Sequence, residues 1–178
     1  MNNQGPADRL ALVRAAVEGY EGPLLRYAVR ITRDLDRARD VVQETFLRLC
    51  REERSRVDGH LTEWLFTVCR SRALDVRRKE SRMNSMSVAE MENCASRDCA
   101  PSVGLERDEA VSQVLAALGT LPENQQEVIR LKFQDGLSYR EISGVTGLTV
   151  SNVGFLIHTG LKTVRQRLGV GAEAVRNT

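Results

Sequence analysis

Between Gly136 and Gly169 the chain carries two helix starts with a single tight turn between them, and few folds accommodate that pattern. Ser138 and Glu141 form Ser-x-x-Glu. In that pattern the serine hydroxyl accepts from the third helical N–H while the glutamate reaches back to the serine N–H. The helix so started is predicted to be short, Tyr139 to Thr146, because Gly147 follows and glycine takes a left-handed turn without steric cost. Thr149 can cap the next helix, predicted to reach about Leu168 before Gly169 stops it. Helix, glycine turn, longer helix is a helix-turn-helix unit. Its packing needs apolar Ile142, small Ser143, and apolar Leu148, Val153 and Leu156, and all stand at the required offsets. A plain helical hairpin in an unrelated bundle is the bland alternative. The functional reading lays the start of the second helix in the major groove of DNA, with Thr149, Ser151, Asn152, Phe155 and His158 toward the bases.

The rest of the chain is helical in pattern too. Apolar residues recur at helical spacing through residues 8–79, and no segment alternates as a half-buried strand would. Gly22-Pro23 is expected to end one helix and start another at Leu24, with further breaks at Arg33-Asp34 and Asp58-Gly59. Residues 80–108 lose the period and fill with Ser, Asn, Met, Glu and Cys, the composition of a flexible linker. Periodicity returns with Val111, Val114, Leu115 and Leu118 up to Gly119, and Pro122 opens a helix that Asp135-Gly136 ends. At 178 residues the chain can hold two small domains. The expected fold is all-α: a helical domain over 1–79, a linker over 80–108, a helix-turn-helix domain over 109–170, and a tail over 171–178. No apolar run approaches the roughly 18 residues of a membrane span, and the polar start lacks a secretory core, so a cytoplasmic protein without membrane insertion is expected.

Charge is unevenly placed. The net formal charge is +2, but residues 1–79 carry +4, residues 80–108 carry −3 and residues 109–178 carry +1. Five cations (Arg70, Arg72, Arg77, Arg78, Lys79) and one acid, Asp75, share ten residues. A helix C-terminus favours some of that charge unaided, and phosphate contact accounts for the remainder. On this helix, beginning near Trp64, Leu61, Leu65, Val68 and Val76 mark the expected buried side; Thr67, Arg70, Ser71, Arg77 and Arg78 mark the other. In the preceding helix Leu35, Val42, Phe46 and Leu49 share one face, flanked by Ala38 and Val41. Opposite them run Asp36, Asp40, Gln43 and Leu47, edged by Glu44 and Arg51. A solvated polar face is the ordinary reading, but a leucine in mid-stripe suits a protein-binding surface.

Four cysteines are present. Cys50 and Cys69 fall in helical patterns, where a free thiol acts as a small apolar side chain. Cys94 and Cys99 could form a redox pair or half a metal site, but zinc needs four ligands and nothing nearby completes the set, so ordinary reduced thiols are expected. No cofactor is expected. Two histidines, with no nucleophile motif, phosphate loop or paired acids, argue against an enzyme.

Three blocks in register resemble the extracytoplasmic-function group of bacterial sigma factors, in the sigma-70 family. They are Asp34 through Leu49, centred on Asp40-Val-Val-Gln-Glu-Thr-Phe-Leu-Arg; Trp64-Leu-Phe-Thr-Val through Ala73-Leu-Asp-Val-Arg-Arg; and Leu121-Pro-Glu with Gly136-Leu-Ser-Tyr-Arg-Glu-Ile and the Gly147-Leu turn. The resemblance implies a factor that binds core RNA polymerase, through the β′ clamp and the β subunit, and directs promoter recognition and transcription initiation. It assigns core binding to Asp36, Asp40, Gln43, Glu44, Leu47 and Arg48, and reading and opening of the −10 element to Trp64, Arg70, Ser71, Arg72, Arg77, Arg78 and Lys79. It assigns the −35 element to Arg140, Thr149, Ser151, Asn152, Phe155, His158 and Lys162. The linker would thread into polymerase, where its negative charge suits a channel built for nucleic acid. An anti-sigma protein holds many relatives inactive and is a further implied partner.

Two departures stand out. Relatives usually carry Asn where Ser71 stands, which shortens the reach toward an unstacked base. Relatives often carry Lys or Arg near Gly154, Leu156 and Thr159, so −35 binding here is expected to lean on shape, thymine methyl contacts and Phe155. The alternative is a stand-alone helix-turn-helix regulator. It would need more charge than +1 on its last 70 residues, or a dimer helix, and neither is evident.

Overall fold

The computed structural model of the protein describes residues 6–86 and 105–169, with side chains for 8–82 and 111–169. All regular elements among them are helical: α1 (Pro6–Thr32), α2 (Leu35–Arg51), a 3-10 turn (Arg54–Arg56), α3 (Leu61–Met86), α4 (Leu105–Gly119), α5 (Glu123–Phe133), α6 (Tyr139–Thr146) and α7 (Val150–Arg167). They fall into two compact units, divided between Ser96 and Arg97.

In the first unit α1, α2 and α3 pack against one another. Arg33 adopts a left-handed conformation (φ 59°) that ends α1, and the Asp34 side chain caps α2 by accepting from the Arg37 N–H at 2.9 Å. Gly59, at φ 77°, turns the chain into α3. Gly22-Pro23, in contrast, breaks nothing, and α1 runs straight through it. Proline there takes the N–H from the Gly19 carbonyl, at a cost of roughly 3 kcal/mol in a helix interior. Gly19 is exposed, so water can serve that carbonyl. Directly after the proline, Leu24, Tyr27 and Ala28 are buried, and a fully buried side chain of leucine size contributes about 1.5–3 kcal/mol. Burial of that face outweighs the local penalty.

The core of this unit is Ala16, Leu24, Tyr27 and Ala28 from α1, Ala38, Val41, Val42, Phe46 and Leu49 from α2, and Leu65, Phe66, Val68, Cys69 and Ala73 from α3. Tyr27 and Phe66 meet with ring centroids 5.3 Å apart at 59°. The buried stripe of α2 is rotated from the expected one: Leu35 is 47% exposed while Thr45 is fully buried. Thr45 tolerates this because its hydroxyl donates to the Val41 carbonyl at 2.8 Å, leaving no idle polar group. On α3, Leu61 and Val76 are only half-buried, and Phe66, Cys69 and Ala73 hold the core instead. The helix continues to Met86, seven residues into the stretch expected to be linker.

In the second unit α4, α5 and α6 each pack on α7. Val111 and Val114 of α4 are exposed, and Ala117 is the buried residue near its end. The core comprises Leu121, Val128, Ile129, Leu131, Leu137, Ile142, Val145, Val153, Leu156, Ile157 and Val164. Gly160 lets α7 approach α5 so closely that a Cβ there would lie 2.6 Å from the Ile129 Cδ1.

Candidate functional site

Three exposed faces carry the residues singled out in the sequence. On α7, Ser151, Asn152, Phe155, His158 and Lys162 are all exposed, with Phe155 open over 64% of its surface. Four of them stand at intervals of four, three and four residues, which places them along one side of a helix. The scaffold behind is locked by short-range chemistry. Ser138 accepts from the Glu141 N–H and Glu141 from the Ser138 N–H, a complete capping box. Gly147 adopts φ 75°, Ser143 donates across the turn to the Leu148 carbonyl at 2.6 Å, and Thr149 caps α7 by accepting from the Asn152 N–H. Thr149 thus spends one lone pair on the cap. Arg140, one residue into α6, is exposed as well.

The three positions without cations have structural occupants. Leu156 is buried in the helix-turn-helix core. Gly154 leaves room for the Tyr139 ring, whose Cε2 would lie 3.7 Å from an added Cβ. The Thr159 hydroxyl donates to the Phe155 carbonyl at 2.8 Å. Lys132 stands over the same Tyr139 ring, 5.5 Å from its centre.

On α2, Asp36, Asp40, Gln43, Glu44, Leu47 and Arg48 are exposed, and Leu47 shows 49% of its surface. They do not form one uniform stripe. Gln43 and Leu47 line a groove of about 470 Å³ between α1 and α2, together with Glu21, Leu25, Arg39, Val42, Phe46 and Cys50. Asp36 pairs with Arg39 at 3.1 Å. Glu44 turns the other way, toward α3, and pairs with Arg72.

On α3, Thr67, Ser71, Arg77, Arg78 and Lys79 are exposed, whereas Trp64, Arg70 and Arg72 are half-buried. Arg78 pairs with Asp75 at 3.4 Å, and Thr67 donates to the Glu63 carbonyl at 2.7 Å. Arg37 of α2 pairs with Glu80 of α3. Sequence reasoning missed these two links between α2 and α3, because nothing in a one-dimensional pattern says which charges of two helices will face each other. Cys69 lies in the core, where burial pushes its thiol from 9.0 up to about 12 against a smaller opposing effect of its hydrogen bond with Thr45. Cys94 and Cys99 lie outside the described residues. Among the described residues no group of three His, Cys, Asp or Glu could hold a metal ion, and no helix is long and apolar enough to cross a membrane.

A helix-turn-helix with an open reading face, in the same chain as a helical unit bearing a basic helix, defines a DNA-directed transcription protein. Known proteins make the class specific. Residues 16–83 match the family described as Sigma-70 region 2, and residues 112–164 match Sigma-70, region 4. The chain is 30% identical over 171 residues to the ECF RNA polymerase sigma factor SigL of Mycobacterium tuberculosis, covering 92% of this chain and 94% of that one. It is 27% identical over 153 residues to SigM of Bacillus subtilis, covering 84% and 88%. Its fold is similar to that of the sigma factor RpoE of Bartonella quintana, solved in complex with the anti-sigma factor NepR, with a TM-score of 0.64 over 89% of this chain at 22% identity. The chain belongs to the extracytoplasmic-function sigma factors of the sigma-70 family. It binds core RNA polymerase and directs promoter recognition and transcription initiation. Likeness along nearly the whole chain, rather than over the helix-turn-helix alone, decides against a stand-alone regulator.

Proposed function

We propose that the three faces divide the work of initiation. The α7 face, with Arg140 and Thr149, reads the −35 element; α3, through Trp64, Ser71 and the Arg70–Lys79 cations, engages and opens the −10 element; and α2, through Asp36, Asp40, Gln43, Glu44, Leu47 and Arg48, docks on the β′ clamp. The observation that carries this reading is Leu47. It is a half-exposed leucine beside Gln43 at the rim of a groove, on the helix that packs against the basic α3. An apolar side chain among hydrogen-bonding groups is costly to leave in water and useful against a partner. Two helical domains and an acidic linker accompany this reading, with α3 carrying the first domain beyond residue 79 to Met86, the linker threading into polymerase, and the β subunit a further partner. The protein works in the cytoplasm and makes no bonds itself; nucleotide joining belongs to the polymerase. An anti-sigma protein is a further proposed partner, since the similar RpoE was solved with one.

Gel shifts of the full chain on a promoter fragment, found by mapping transcript starts after overexpression, test the reading. Its small net charge leaves few phosphates neutralised, so the free chain should bind weakly and bind specifically once core polymerase is added. Tight, specific binding by the free chain at physiological salt would contradict it.

A further inference from the structure

Two ion pairs cross from α2 to α3. Glu44 accepts from Nη2 of Arg72, and Glu80 from Nη1 of Arg37. Arg37 precedes Glu44 by seven residues on α2, while Arg72 precedes Glu80 by eight on α3. At 1.5 Å per residue those spans are about 10 and 12 Å, so the two pairs form matched rungs between antiparallel neighbours.

The Glu44–Arg72 rung joins the two surfaces assigned above. Glu44 follows Gln43 and stands one turn from both Asp40 and Arg48, on the helix proposed to meet polymerase. Arg72 follows Ser71 on the helix proposed to meet promoter DNA. Their contact joins the Arg72 guanidinium to the Glu44 carboxylate at a partly exposed position. Nε of Arg72 is buried and without a hydrogen-bond partner, so the guanidinium is incompletely satisfied where it lies. The two side chains remain 39% and 49% exposed, and an ion pair so open to water contributes little to folding. It can exchange partners without loosening the bundle, whose core lies elsewhere.

We propose that Glu44 masks Arg72 in the free protein, and that docking of α2 on polymerase draws Glu44 away and releases Arg72 to a phosphate of the −10 region. This rests on the assignment of α2 to polymerase and α3 to promoter DNA. The exchange couples the two binding events, and by linkage each favours the other by the same factor. It also removes one cation from the DNA face of the free chain, where unassisted binding to DNA would be wasteful.

The test uses the full chain and a mixed-sequence duplex, with affinity followed by fluorescence anisotropy across a salt series. Glu44→Gln should tighten binding by the free chain at low salt. It should also steepen the slope of log K against log salt by about 0.9, roughly a further threefold loss between 50 and 200 mM. The double variant Glu44→Gln/Arg72→Gln should return to the slope of the unsubstituted chain. Core-polymerase affinity, measured in parallel, should fall in Glu44→Gln. An unchanged slope in Glu44→Gln, or a slope that stays steep in the double variant, overturns the masking of Arg72. A steeper slope with unchanged core affinity overturns the exchange, because polymerase then makes no use of Glu44. Replacing Asp40, Gln43 and Leu47 by Ala reports on the α2 surface alone, so a failed exchange is distinguishable from a misassigned face.

Discussion

Gly160 of α7 and Ile129 of α5 are so closely apposed that a Cβ on the glycine would lie 2.6 Å from the isoleucine Cδ1, with Gln125 and Leu121 each 3.4 Å away. Gly160 is buried, and Ile129 is 4% exposed. Gly160→Ala must therefore displace the Ile129 side chain within a packed core, at an overpacking cost of about 1–3 kcal/mol. Thermal melting should show the second unit destabilised. Ile129→Val removes the obstructing Cδ1, so the pair Gly160→Ala/Ile129→Val should recover part of the loss. Additive destabilisation in the double variant would show that this contact is not the cause.

Triple replacement of Asp40, Gln43 and Leu47 by Ala should weaken core binding while leaving helical content intact. All three are exposed, and alanine is the best helix former. Circular dichroism and polymerase affinity are the paired measurements. Unaltered affinity would remove α2 from the interface.

Charge reversal at Arg77 and Arg78 should reduce promoter opening, read by permanganate reactivity of unpaired thymines, and leave core association standing. Both side chains are exposed on α3, and phosphate contacts position DNA without reading sequence. Should association with core fail instead, the basic turn belongs to the protein interface.

The two cysteines within described helices should differ in reactivity. Cys50 is exposed at the α1–α2 groove; Cys69 is buried, with its thiol pushed up to about 12 by desolvation. Mass mapping after brief alkylation of the native protein at mildly alkaline pH should find Cys50 labelled and Cys69 untouched. The thiol pKa of Cys69 is higher in the folded than in the unfolded chain, so its contribution to stability is present below pH 9 and is lost as pH rises toward about 12. Prompt labelling of Cys69 would mean that the three-helix core opens readily.

What could be read from the sequence was what short-range chemistry decides. The Ser138–Glu141 box, the Gly147 turn and the Thr149 cap each depend on residues within three or four positions, and all form as expected. Breaks at Arg33-Asp34 and Asp58-Gly59 have the same local origin. Outcomes settled by tertiary burial were not legible. Pro23 is tolerated because the face after it is buried, and Thr45 enters the core because its hydroxyl finds its own backbone. Leu35 is left outside although its apolar side chain fits the period. The partnership of Glu44 with Arg72 joins residues 28 positions apart, so each reads as a solvent-facing charge until the helices are placed.

The sharpest test concerns the reading face of α7. Ile157 is 2% exposed, so a docking patch built from Phe155 and Ile157 together is closed off, and Phe155 stands among Ser151, Asn152 and His158. A cationic side chain at 156 would serve no DNA contact here, because Leu156 is core, and Gly154 carries no side chain beside the Tyr139 ring. On the proposed reading, specificity falls to Asn152, whose amide can offer paired hydrogen bonds, and to Phe155, whose ring can meet a thymine methyl. Each good base contact is worth about 1–3 kcal/mol of discrimination, enough to set a preferred −35 sequence without strong phosphate attraction. Asn152→Ala and Phe155→Ala, each scored as holoenzyme against a library of −35 variants, should relax preference at different single base positions by about 5- to 100-fold. Thr149 caps α7 through the Asn152 backbone N–H, which alanine retains, so loss of the amide side chain leaves the cap in place. A uniform loss across all variants, or none, would show that α7 supports binding without reading bases.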